Sequence, residues 1–180
     1  MLNYDCGTSE VVPSDRLFAR FTKTGAQPRI NEIPDGGFCI SSFVILTRQG
    51  RPNEVLMGRL DVNADWERIG GLNKERAELN SKGWMLPSCH LLYGESPQDA
   101  AKRILDEQLG MSDQKLQGPV VFSDVSGPKN HWDIEFLFAG ERAEAKQHTA
   151  WKELRFVDTT RLQQTDFARS HEDVLAHIGK

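Results

Sequence analysis

Apolar residues along this chain come in short blocks separated by polar turns, and the blocks differ in period. Residues 38–47 (FCISSFVILT) form a nearly continuous run of β-branched and aromatic side chains, which predicts a central strand buried on both faces. Asp35-Gly36-Gly37 marks a turn before it, and 49–53 (QGRPN) marks one after it. The next block, 54–60 (EVLMGRL), therefore folds back as the second arm of a hairpin. Further extended blocks lie at 84–93, 120–125, 132–139 and 154–157. Between 61 and 83 the chain is polar, with one short helix predicted at 74–81 and closed by Gly83 as a C-terminal cap. The first 35 residues, punctuated by Pro13, Pro28 and Pro34, show no period that assigns an element.

The helical period is clearest after Ser96. Ser96 is a natural N-cap, Pro97 suits the first helical position, and Asp99 stands third, close to a capping box. Ala101, Ile104, Leu105, Gln108 and Leu109 gather on one side, and Gly110 supplies the stop. Asp99/Arg103, Arg103/Glu107 and Lys102/Asp106 are spaced i,i+4 on the other, as a solvated ladder of ion pairs would be. A second amphipathic helix is predicted at 167–178. Strands, one strong helix, more strands and a terminal helix predict an α/β fold with a mixed sheet. No repeat divides the 180 residues, so a single domain over 1–180 is expected, with 1–35 as an N-terminal extension and 61–83 as a polar insertion.

Charge narrows the partners. Lys and Arg number 22 against 26 Asp and Glu, a formal net charge of −4. That balance, with no helix-turn-helix or basic arm, argues against nucleic acid and against an anionic membrane surface. A small anion held by a few local cations remains open. No apolar stretch approaches the roughly 20 residues of a membrane-spanning helix, and the opening residues MLNYD lack the features of a secretory signal. The odd, scattered cysteines Cys6, Cys39 and Cys89 fit a reducing compartment, so a cytoplasmic protein is expected. Cys89 and His90 are neighbours on a strand and point to opposite faces, which argues against a nucleophile–base pair.

Residues 86–111 read LPSCHLLYGESPQDAAKRILDEQLGM. Seven residues separate Glu95 from Arg103, and Leu105, Glu107, Gly110 and Met111 follow at fixed offsets. This pattern resembles the Nudix box, G-x5-E-x7-R-E-U-x-E-E-x-G-U, where U is a large aliphatic residue. The likeness extends over about 37–165, through Leu86-Pro87, the Gly94-Glu95-Ser96-Pro97 segment and the residues at 151–162. The resemblance implies a Nudix-type α/β/α sandwich with a mixed β-sheet, whose box forms a loop, a helix and a second loop. It also implies that the box glutamates hold divalent cations, which polarise a diphosphate for attack by water.

Three positions depart from the pattern. Cys89 replaces the opening glycine, Ile104 the glutamate after the arginine, and Gln108 the last glutamate. Carboxylates there would hold Mg²⁺ or Mn²⁺ as hard oxygen ligands. Ile104 offers no ligand, and Gln108 only a neutral carbonyl oxygen. The expected site therefore has Glu107, Gln108 and the backbone carbonyl at Cys89 around the metal, with Mg²⁺ or Mn²⁺ entering together with the ligand. Glu107 and Glu135 are the expected catalytic carboxylates. Glu135, with Asp133 on the same strand face, is the substitute base. Arg59 is the expected phosphate-binding residue, and Glu95, Arg103 and Gly110 are structural residues of the box. The favoured reading is a protein that binds a nucleoside diphosphate-linked small molecule with weak or absent hydrolysis. The alternatives are an active Mg/Mn-dependent diphosphohydrolase using substitute carboxylates, and a scaffold that uses 61–83 as its contact surface. A homodimer formed through an N-terminal strand stays open.

Overall fold

The computed structural model describes residues 38–126, 131–169 and 171–179. The N-terminal extension, Cys6 and the turn at Asp35-Gly36-Gly37 lie outside these residues. Nearly all described residues fall in one compact unit, Cys39–Asp124 with Asp133–Lys180.

The elements are β1 (Phe38–Arg48), β2 (Arg51–Leu60), α1 (Trp66–Gly70), α2 (Lys74–Asn80), β3 (Ser88–His90) and α3 (Pro97–Ile104). A π-helical turn, Leu105–Leu109, continues α3, and β4 (Gln117–Ser126), β5 (His131–Arg142), β6 (Trp151–Asp158) and α4 (His171–His177) follow. The strands form one six-stranded sheet in the order β4-β5-β1-β2-β6, with β3 paired to β1 off that path. The β1–β2, β1–β3 and β2–β6 pairings are antiparallel. An isolated parallel bridge joins Trp84 to Phe167.

The unbroken apolar run in β1 has a direct physical cause, because both of its faces are covered. Val44 and Leu46 pack with Ala100, Ala101, Ile104, Leu105 and Leu109 of the box helix and with Trp66 and Ile69 of α1. Phe43 and Ile45 pack the other way, with Leu137 of β5 and with Val174 and Leu175 of α4. Each such buried side chain contributes about 1.5–3 kcal/mol relative to exposure. The result is a mixed sheet sandwiched between helices, with the box helix on one face and α4 on the other. No helix among the described residues is long and apolar enough to cross a membrane.

Residues 61–83 differ from the expected polar insertion. They contain α1, and Trp66 is only 2% exposed. Its Nε1 donates to the carbonyls of Asp61 and Ala150, both at 3.1 Å, and its ring meets Trp151 edge-on at 4.8 Å. Ile69, Leu72 and Ala77 are buried in the same core. Gly83 is not a helix cap either: α2 ends at Ser81 in ordinary right-handed geometry. A Cβ at Gly83 would lie 2.6 Å from the amide nitrogen of Ala168, so the glycine is there for close backbone approach. The terminal helix begins at His171 rather than 167 because Ala168 first donates to the carbonyl of Trp84, at 3.0 Å.

Candidate functional site

The loop and helix of the box are fixed by local chemistry. Ser96 Oγ accepts from the amide of Asp99 at 3.1 Å, and Pro97 occupies the first turn, where no amide hydrogen is needed. Gly110, at φ +61°, ends the π-helical turn and donates to the carbonyl of Leu105. Arg103 grips Glu95 with two parallel bonds of 2.8 Å, Nε to Oε1 and Nη2 to Oε2. Nη2 also donates to the carbonyl of His90 at 3.0 Å, and Glu95 accepts from the amide of Leu92 at 2.8 Å. The Arg103 guanidinium holds the Glu95 carboxyl below its usual range. These contacts tie the loop at 90–95 to the helix.

The positions that bear on a cation do not converge. Ile104 and Gln108 are both 0% exposed. Gln108, expected at the metal, instead points inward: its Nε2 donates to the carbonyls of Ser88 at 2.8 Å and Ile69 at 3.0 Å. Its Oε1 is buried and has no partner. Glu107 remains half-exposed and pairs with Arg68 of α1, Nη1 to Oε2 at 2.8 Å. Cys89 is buried, and burial pushes its thiol up to about 12.

Glu135 sits across the sheet from Glu107. It shares a β5 face with Leu137, on the α4 side. Burial first, then the charges of Asp133, Asp124 and Asp173, raise its carboxyl to about 7, with Arg169 opposing them. Asp133, on the same face, accepts from Cys39 Sγ at 2.6 Å. Arg59 also lies away from Glu107: its guanidinium stacks over the Trp84 ring, 4.6 Å from the centroid, beside a separate surface cavity.

No family model and no curated protein matches the sequence. Solved structures do. A MutT protein from Methanosarcina mazei aligns at 17% identity and a TM-score of 0.53, over 82% of this chain and 95% of that one. The NUDIX domain of Shewanella oneidensis NrtR, complexed with ADP ribose, aligns at 12% identity and 0.55, over 78% and 86%. A mutT/nudix family protein from Listeria innocua aligns at 22% identity and 0.51, over 81% and 92%. The chain has a Nudix fold. Likeness at these identities speaks to the fold, and the chemistry rests on the residues themselves.

Beside the box helix the donor set does not fit a divalent cation. Among the described residues, no group of three or more His, Cys, Asp or Glu is placed to hold one. Of the two box carboxylates left, Glu95 is held by Arg103 and Glu107 faces the Arg68 guanidinium. Arg68 is the residue that sequence reasoning missed. Its signal was present in Asp65-Trp66-Glu67-Arg68-Ile69-Gly70-Gly71, where Asp65 caps the amide of Arg68 at 3.3 Å and Gly71 closes the turn at φ +70°. The position of Arg68 beside Glu107, 39 residues further along, is a tertiary fact.

Proposed function

We propose that this chain is a Nudix-fold binding protein for a nucleoside diphosphate-linked small molecule, with weak or absent hydrolysis. The observation that carries the reading is the clamp at Gln108. An amide whose nitrogen donates to two backbone carbonyls is part of the frame, and its Oε1 has no exposed surface to offer a metal or a water from solvent. Ile104 adds only packing, and Glu107 has one oxygen committed to Arg68. In place of a dication the site presents the Arg68 guanidinium, which is 61% exposed and able to donate to phosphate oxygens. The likeness to a domain complexed with ADP ribose supports the ligand class. An active diphosphohydrolase is the second reading. It draws on Glu135, whose carboxyl near 7 suits a general base, but whose place on the α4 face counts against it.

The test is calorimetric titration of the full chain with ADP-ribose in the presence of a chelator. Saturable binding is expected without metal, weakened about tenfold or more by Arg68→Ala, since a hydrogen bond to a charged group contributes about 1.5–3 kcal/mol. Binding that appears only after Mg²⁺ or Mn²⁺ is added, and ignores Arg68→Ala, would overturn the proposal.

A further inference from the structure

Beside the end of β2 lies a cavity of about 850 Å³, within the roughly 300–1,000 Å³ range of small-molecule sites, and no residue of the box lines it. Three cations do: Arg59, Lys82 and Lys152. Among the described residues none of the three side chains has an ion-pair or hydrogen-bond partner, and the Arg59 Nε is buried and unsatisfied. A buried donor without a partner costs about 1–3 kcal/mol. This Nε has no exposed surface, so an anion in the cavity would engage the rest of the Arg59 guanidinium. Two acids share the wall. Glu153 Oε1 accepts from Arg155 Nε at 2.7 Å, and Asp61 Oδ1 accepts from the amide and the side chain of the neutral Asn63 at 2.9 and 3.0 Å. Three cations therefore stand against one carboxylate that no cation neutralises among the described residues. Trp84, 4% exposed, carries the Arg59 guanidinium 4.6 Å from its ring centroid and the Arg155 guanidinium at the same distance. The arginine fork is thereby oriented before any ligand arrives.

We propose that this cavity is a second, box-independent binding site for a small phosphate anion, with Arg59 as the oriented fork and Lys82 and Lys152 as point charges. The division of labour follows from the side chains: a planar guanidinium matches two phosphate oxygens, and flexible ammonium groups neutralise the remaining charge. Orthophosphate and diphosphate share the chemistry, and the three cations favour the more highly charged diphosphate.

The experiment is calorimetric titration of the full chain with sodium diphosphate, and separately with orthophosphate, at ionic strength fixed with chloride. Saturable binding is expected, tighter for diphosphate. It should weaken at least about tenfold in the Lys82→Ala/Lys152→Ala double variant, and this lysine-dependent component should persist in Arg68→Ala, which removes the phosphate donor proposed beside the box. Arg59→Ala should behave like the lysine variant. If losing the Trp84 stack unfolds it, the lysine pair, checked for an unchanged melting curve, carries the test alone. Heats that do not saturate, or that chloride reproduces, would reduce the cavity to diffuse surface charge and overturn the proposal. So would binding that survives loss of both lysines but disappears with Arg68→Ala, because the anion would then sit at the box.

Discussion

A glutamate at position 108 would set a carboxylate against the carbonyl oxygens of Ile69 and Ser88, which now accept from the Gln108 amide. Gln108→Glu is therefore expected to destabilise the protein by about 1–3 kcal/mol, read from chemical denaturation, rather than to restore a metal ligand. Glu135 gives a second expectation with a defined sign. Its folded carboxyl lies near 7 against an ordinary value of 4.5, so the folded state holds a proton that the unfolded chain has released. Stability then falls as pH rises from 4.5 to about 7, and Glu135→Gln should flatten that fall and melt higher than wild type at pH 8. Burial holds His171 neutral, with Nδ1 accepting from the Leu86 amide at 2.9 Å. Its trend runs the other way, with stability lost as pH falls below 6.5, so the comparison with Glu135→Gln is needed to separate the two. At this scale the Glu95–Arg103 tie could be read from spacing, because both residues belong to one motif. The Arg68–Glu107 pair could not, because nothing local links a residue in a polar stretch to one 39 positions later.

Among the elements, those with a long apolar period were legible. The capped start of α3, the paired arms β1 and β2 and the strand β6 all follow from pattern, and α2 appears at Lys74–Asn80 against an expected 74–81. The five-residue α1 escaped because it is shorter than the window over which a helical period can be detected. The π-helical turn escaped because its sequence reads as ordinary helix. Those two short elements decide the site: α1 brings Arg68 to the box, and Ile69 supplies a carbonyl to Gln108. Trp66 anchors α1 through its ring and both of its carbonyl partners. Trp66→Ala should cost about 3–5 kcal/mol, measured by thermal or denaturant unfolding. By loosening α1 it should also weaken ADP-ribose binding in a chelator, in the same direction as Arg68→Ala.

For the molecule as a whole, the fold and the chemistry part company. The mixed sheet, with the box helix on one face and α4 on the other, is a Nudix architecture. Yet a fold of this kind hosts a reaction only where the side chains carry it. Here two box positions have passed to the core, and of the two carboxylates left Glu95 is tied to Arg103 and Glu107 meets Arg68. The most direct check is product release from ADP-ribose, NADH, dinucleoside polyphosphates and sugar nucleotides, followed by chromatography in saturating Mg²⁺ or Mn²⁺. Little or no product is expected from any of them. Rapid turnover that Glu107→Gln abolishes would contradict the account and make the chain a working hydrolase.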